Sequence, residues 1–224
     1  MKLYYHPAST TSRIVDLFAR EQGIELERQV VDLFTGEHLK PEYAAINPNC
    51  LVPVLEDGDF RLTESAAILR YLAEKTGSPA YPKDLKARAR VNERMDWFNS
   101  NIYKDIAYGL IYPQTFPHHK RPGDALQAGT LDWSKQKTQA WLKILDQNLM
   151  HPKKPFLCGD QVTLADYMGA EMIALGEVIG CSYAGFPNIA RWLGRMKALK
   201  SWAKVHEAID GFAASLKGKP FVAV

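Results

Sequence analysis

The feature that most constrains this chain is the point at which its strand signals stop. Every run that reads as a β-strand lies in the first 76 of the 224 residues. The breaker-dense Gly77-Ser78-Pro79-Ala80-Tyr81-Pro82 follows, and beyond it the periodicity is helical. Residues 2–6 form a short apolar and aromatic run stopped by Pro7. Ile14, Leu17 and Phe18 predict a helix over 10–22, with Gly23 as its stop. Residues 26–31 then alternate as a second strand. Strand, helix, strand over so short a crossover is a parallel, right-handed βαβ unit. Residues 52–56 and 60–63 flank Asp57-Gly58-Asp59, a hairpin signal, and a helix resumes near Ser65 with Ile68, Leu69 and Leu72 on one face. The pattern predicts an α/β domain with a mixed βαβ-ββα sheet over residues 1–78. An all-helical domain is expected over 86–224.

The helical half carries Val91, Met95, Phe98, Ile102 and Ile106 as one stripe. A polar stretch over 117–129 precedes a helix around 131–149, and Thr163-Leu164-Ala165-Asp166 opens another. The charge balance, 28 Lys+Arg against 25 Asp+Glu for a net +3, is too even for a nucleic-acid or polybasic membrane footprint. No window offers the 18 or so apolar residues of a membrane span, and residues 1–7 lack the apolar region of a signal peptide. Cys50, Cys158 and Cys181 form no CxxC pair and no even framework, so a reducing, cytoplasmic setting is expected.

Three places carry chemistry. At the junction of the first strand and helix, Pro7-Ala8-Ser9-Thr10-Thr11-Ser12-Arg13, Ser9 stands where an N-cap belongs. It is either a structural cap or part of an anion site at the helix mouth. Ser9 to Ser12 also has the spacing of a CxxC redox motif with hydroxyls replacing both thiols, so any reactive sulfur there must come from a ligand. Pro53 interrupts Leu51-Val52-Pro53-Val54-Leu55. It marks an edge strand or a cis turn that leaves the Val52 backbone free to pair with an extended peptide. In Thr63-Glu64-Ser65-Ala66-Ala67, Ser65 reads as the N-cap of the next helix with Glu64 just outside it. The pair is a plain cap, or else a carboxylate and ammonium site suited to an amino-acid head group.

Together, and in this order, these segments resemble the serine-type cytosolic glutathione transferases, the theta and delta classes and bacterial theta-like dehalogenases. The likeness is carried by Tyr4-Tyr5-His6-Pro7-Ala8-Ser9, by Gly36-Glu37-His38-Leu39-Lys40-Pro41-Glu42 with Ile46-Asn47-Pro48, by Val52-Pro53, and by Glu64-Ser65-Ala66-Ala67-Ile68. Thr163-Leu164-Ala165-Asp166 is similar to the capping box of that family's helical domain. The resemblance implies a thioredoxin-like first domain and a homodimer with helices starting near Ser65 and Lys86 at its interface. Glutathione is the implied cosubstrate, with no metal. Ser9 would donate a hydrogen bond to the glutathione sulfur, with Ser12 as alternative. Val52 and Pro53 would hold the cysteinyl part, Glu64 and Ser65 the γ-glutamyl head, and His38 would lie near the glycyl carboxylate. Cys50 and Leu51 stand where relatives often place His or Lys, a departure that leaves the glycyl end differently recognised.

The role given to Ser9 is energetically sufficient. A free thiol with a pKa near ~8.5 is only about 3% thiolate at pH 7. Lowering that pKa by roughly two units needs about 2.7 kcal/mol and raises the thiolate to about three quarters. A hydrogen bond to a charged group contributes ~1.5–3 kcal/mol and a helix N-terminus ~0.3–1. Ser9 would then be a donor and not a nucleophile. A Ser9–His6 hydrolytic dyad lacks an evident third member. His6, Ala8, Tyr103, Ile106, Tyr108, Tyr112, Phe116 and Phe212 are expected to line a pocket for a small hydrophobic electrophile, with Leu216 or Phe221 closing it. His118-His119 is expected to be solvated. A non-catalytic binding or carrier module of the same fold is the alternative.

Overall fold

A computed structural model describes residues 1–224. The sheet comprises β1 (Lys2–Tyr5), β2 (Glu27–Val30), β3 (Val54–Asp57) and β4 (Phe60–Leu62) in the order β2-β1-β3-β4. β1 and β2 are parallel, with Leu3 opposite Arg28, joined through α1 (Thr10–Glu21). β3 runs antiparallel to β1, and β4 turns back on it at Gly58-Asp59, where Gly58 takes φ +65°. α2 (Pro41–Ala44) lies in the β2–β3 connection, and α3 (Ser65–Thr76) follows β4.

The helical domain is built from α4 (Leu85–Trp97), α5 (Tyr112–Thr115), α6 (Asp124–Ile144), α7 (Leu164–Ala174), α8 (Pro187–Lys197) and α9 (Trp202–Ser215). Wide π-type turns over Phe98–Ile102 and Lys104–Ile111 carry α4 on into α5. α6 starts within the stretch expected to be polar loop, because Asp124 and the residues after it suit an exposed first turn. α7 is buried on every side. No helix is long and apolar enough to cross a membrane.

One apolar cluster of 49 buried residues runs from Leu3, Ile14, Phe18 and Leu69 into Met95, Leu164, Met168 and Trp192. The domains therefore meet through continuous core, which fixes α1 against α7 and α9. A second, small cluster of Val31, Tyr43, Val52 and Val54 sits under α2. Pro53 is buried and precedes β3, which lies between β1 and β4. It is therefore no edge-strand proline: it belongs to a cis turn, the Val52–Pro53 bond being cis.

Candidate active site

Between the domains lies a cavity of about 520 Å³, walled on one side by the ends of α1 and α3 and on the other by the α4–α5 helix and α9. Ser9, half-buried, faces it from the mouth of α1. The Ser9 backbone is extended (φ −74°, ψ 123°), and its Oγ accepts the Ser12 N–H at 3.4 Å, a long cap. No acidic residue in the first turn offsets the positive helix end. Ser9 Oγ also lies 3.1 Å from Thr11 Oγ1, which donates to the Val52 carbonyl at 3.0 Å. A hydroxyl has one proton. Thr11 gives its own to Val52, so Ser9 is the donor between the two. The chain Ser12 N–H, Ser9 O–H, Thr11 O–H, Val52 carbonyl thus polarises the Ser9 hydroxyl, which can rotate toward a better acceptor in the cavity. Thr11 was not singled out in the sequence; its spacing to Val52, 41 residues away, carries no local signal.

Ser12 is a different case. Its side chain is fully buried, it accepts the His6 N–H at 3.3 Å, and it does not reach the cavity. Three positions along the chain from Ser9, it is turned toward the end of β1 instead of the cavity, so it is no alternative to Ser9. The His6 ring accepts the Ala8 N–H through Nδ1 at 3.2 Å and packs edge-on to Phe34. Burial holds its pKa below the usual range, with Asp32 opposing the effect. Its Nδ1 being committed to the loop, no Ser9–His6 dyad forms, but His6 and Ala8 do border the cavity.

The loop before β3 is pinned from below. Tyr43 Oη and Asn47 Nδ2 both donate to the Leu51 carbonyl, at 2.8 and 2.7 Å. Burial pushes the Tyr43 phenol far above its ordinary range, so it remains a donor. This presents Cys50, Leu51, Val52 and Pro53 to the cavity. Cys50 has φ +54°, and Val52 makes no backbone–backbone hydrogen bond of its own. His38 faces the same end, and its buried Nδ1 has no partner. Burial and nearby His118 lower its pKa.

At α3 the structure corrects the expected cap. Glu64 is the N-cap, with φ +66° and ψ 111°, and Ser65 is the first helical residue. The Glu64 carboxylate does not cap the helix. A non-glycine residue held at such a dihedral costs about 1–3 kcal/mol. That strain places an exposed carboxylate on the cavity wall beside the α3 N-terminus, with Ser65 below it.

The opposite wall is aromatic. Phe116 stacks on Phe212 at 5.5 Å between centroids, and Phe212 reaches Phe34 at 6.2 Å. Tyr103 and Tyr112 pair through their hydroxyls at 2.9 Å, and burial keeps both phenols protonated. Tyr108 completes the floor. Ile106 does not: it is fully buried in the core, because the wide turns rotate it away from its neighbours' face. Leu216 and Phe221 also pack elsewhere on the core. His118 is exposed as expected, although its ring stacks on Phe116 at the cavity edge, whereas His119 is half-buried against Tyr112 in this wall. Lys104 is the only Lys or Arg on the cavity surface. At α7 the capping box forms as expected, with Asp166 accepting from Thr163 N–H and Oγ1–H.

Comparison with known proteins agrees with this layout. Models of the glutathione S-transferase N-terminal and C-terminal domains match residues 8–75 and 127–200. Human glutathione S-transferase theta-1 is 34% identical over 99% of this chain and 91% of its own length. The crystal structure of human glutathione transferase theta-2, in complex with glutathione and an unknown ligand, superposes with a TM-score of 0.86 at 33% identity, covering 99% of this chain and 92% of that one. A human theta-class enzyme in complex with the glutathione conjugate of 1-menaphthyl sulfate gives 0.84 at 34% identity, covering 96% and 88%. With a polar cleft on a thioredoxin-like sheet, an aromatic wall on a helical domain and these relatives, the chain belongs to the glutathione S-transferase family.

Proposed function

We propose that the polar half of the cavity binds glutathione as its thiolate and the aromatic half receives a small hydrophobic electrophile. The sulfur attacks the electrophilic carbon, a C–S bond forms, and the leaving group departs with its electron pair. The protein is thus a transferase, and its own part is to ionise and aim the thiol.

The observation that carries this reading is the Ser9 hydroxyl, half-buried at an acid-free helix N-terminus and already polarised through Thr11. Ser9 turns its proton from Thr11 to the sulfur, and the α1 dipole adds to the same charge preference. The tripeptide lies extended along the Val52-Pro53 turn, pairing with the free Val52 N–H. Its γ-glutamyl ammonium meets Glu64, and its carboxylate meets Ser65 and the α3 N-terminus. The unpartnered His38 Nδ1 serves the glycyl end, with Cys50 and Leu51 framing it. The electrophile rests against Tyr103, Tyr108, Tyr112, Phe116 and Phe212, with His6 and Ala8 opposite. The protein works as a cytoplasmic homodimer, joined through the helices that begin near Ser65 and Lys86, with residues 1–78 and 86–224 as its two units.

The test is titration with glutathione, read by thiolate absorbance, followed by a panel of haloaromatic, haloalkane, isothiocyanate and peroxide substrates. Turnover of at least one electrophile is expected. Ser9→Ala should keep glutathione binding within a few-fold while losing most of the bound thiolate. Tight binding with no turnover across the panel would instead mark a carrier module.

A further inference from the structure

Three ionisable side chains from three helices meet beneath the Ser9 loop. Arg13 of α1, Glu171 of α7 and His206 of α9 have side-chain exposures of 1%, 0% and 6%. Arg13 Nε donates to Glu171 Oε2 at 2.9 Å, and the His206 Nε2 lies 3.3 Å from the same oxygen. His206 is itself held by stacking on Trp202, at 3.9 Å between centroids, and by its Nδ1 contact with the Trp202 carbonyl at 3.0 Å. Burial pushes the Glu171 carboxyl up, but Arg13 and His206 together outweigh that and hold it ionised.

Such a cluster is a poor device for stability. Desolvating buried charges costs about as much as their attraction returns, and well-packed apolar side chains often do better. One Glu171 oxygen is left without any partner. What the cluster does supply is a fixed position. The second arm of the Arg13 fork, Nη1, donates to the Ala8 carbonyl at 2.7 Å, a short charge-assisted bond one residue before Ser9. An apolar side chain cannot make that contact. The other bonds of the loop are between neutral groups: Ser9 N–H to the His6 carbonyl at 2.9 Å, His6 N–H to Ser12 Oγ at 3.3 Å and Ala8 N–H to His6 Nδ1 at 3.2 Å, so Arg13 alone brings a charge to it. α9, which anchors the cluster through His206, also puts Ile209 and Phe212 into the cavity wall one and two turns further on.

We propose that Arg13 is a positioning residue for the transfer reaction: gripped by Glu171 of the helical domain, whose carboxylate His206 backs, its guanidinium fixes the Ala8 carbonyl and with it the direction of the Ser9 hydroxyl. The sulfur-holding loop and the electrophile-lining helix are thereby tied to one buried carboxylate. This inference rests on the assignment of Ser9 to the sulfur.

Glu171→Gln keeps the shape of the side chain and removes the charge that grips Arg13. Arg13→Lys keeps a cation but loses the fork that spans Glu171 and Ala8. Both are compared with Ser9→Ala for the thiolate absorbance of bound glutathione against pH, for kcat and KM, and for Tm. A mispositioned donor is expected to lower kcat about tenfold while KM for glutathione stays within about twofold, with a matching fall in bound thiolate near pH 7. A lower Tm with wild-type thiolate and kcat in Glu171→Gln, while Ser9→Ala loses both, would overturn the positioning role and leave the Ser9 assignment standing. Full rescue by Arg13→Lys would show that charge and not the fork matters, and would overturn it too. Wild-type thiolate in Ser9→Ala itself would remove the Ser9 assignment on which the proposal is built. If Glu171→Gln fails to fold, Arg13→Lys and His206→Gln carry the same readouts.

Discussion

Helices α1 and α7 both open on a hydroxyl residue, and the two openings are put to opposite uses. At α7, Thr163 and Asp166 satisfy one another and their backbone at 2.8–2.9 Å, and Asp166 further accepts from Leu157 N–H and Trp192 Nε1–H. Every lone pair is spent inside the fold, and Asp166 is fully buried. At α1 the cap bond is long, the first turn has no acid, and the Ser9 hydroxyl faces a cavity. A closed cap contributes to folding; an open one leaves its dipole and its proton for a ligand. The same local pattern can therefore mean structure or chemistry, according to what the rest of the chain leaves beside it.

Four substitutions break or sharpen that contrast. Asp166→Ala strands four donors in the core and should cost about 3–5 kcal/mol in chemical denaturation. In whatever fraction remains folded, the ionisation of bound glutathione should be unchanged; a shifted thiol would mean that the two caps are not separable. Ser9→Ala reverses the balance. Its stability cost should stay under about 1 kcal/mol, since the cap bond is weak and half-exposed. The bound thiol, however, should lose the ~1.5–3 kcal/mol of a charge-assisted hydrogen bond, read as a rise of one to two pKa units in its ultraviolet titration. Glu64→Ala should weaken glutathione by about tenfold in calorimetry, or about 1.4 kcal/mol. It should leave stability within about 1 kcal/mol, because an alanine bears the same strained dihedral and the exposed carboxylate makes no cap bond, leaving only its weak helix-dipole interaction to lose; unaltered affinity would put the γ-glutamyl head elsewhere. Thr11→Val removes the relay behind Ser9 and should move the bound thiol by less than about 1 kcal/mol. A larger effect would make Thr11, not Ser9, the main donor to sulfur.

Much of this was legible along the chain. The βαβ order, the Asp57-Gly58-Asp59 turn and the capping box at Thr163 arise from contacts within a few residues, and the structure keeps them. Ser9, Val52, Pro53, Glu64 and Ser65 do converge on one cavity. The misreadings share a cause. Ser12 and Ile106 each lie on the right helix, but facing is decided by a rotation that spacing alone leaves open, and the π-type turns after Trp97 shift it further. Glu64 as N-cap depends on a dihedral that no propensity favours. His119 looks like loop polarity until Tyr112 and Phe116 bring the wall to it, while its neighbour His118 stays exposed.

The sequence by itself determined the two-domain order, the hydroxyl at the first helix mouth and the proline before β3, because hydrophobic period, breakers and caps are local properties. Only the tertiary structure decided which hydroxyl meets the cavity, that Thr11 backs it through Val52, and that Arg13, Glu171 and His206 meet beneath it. Thr11 and Val52 lie 41 residues apart in the chain and Arg13 and Glu171 lie 158 apart, separations at which nothing but packing brings side chains together.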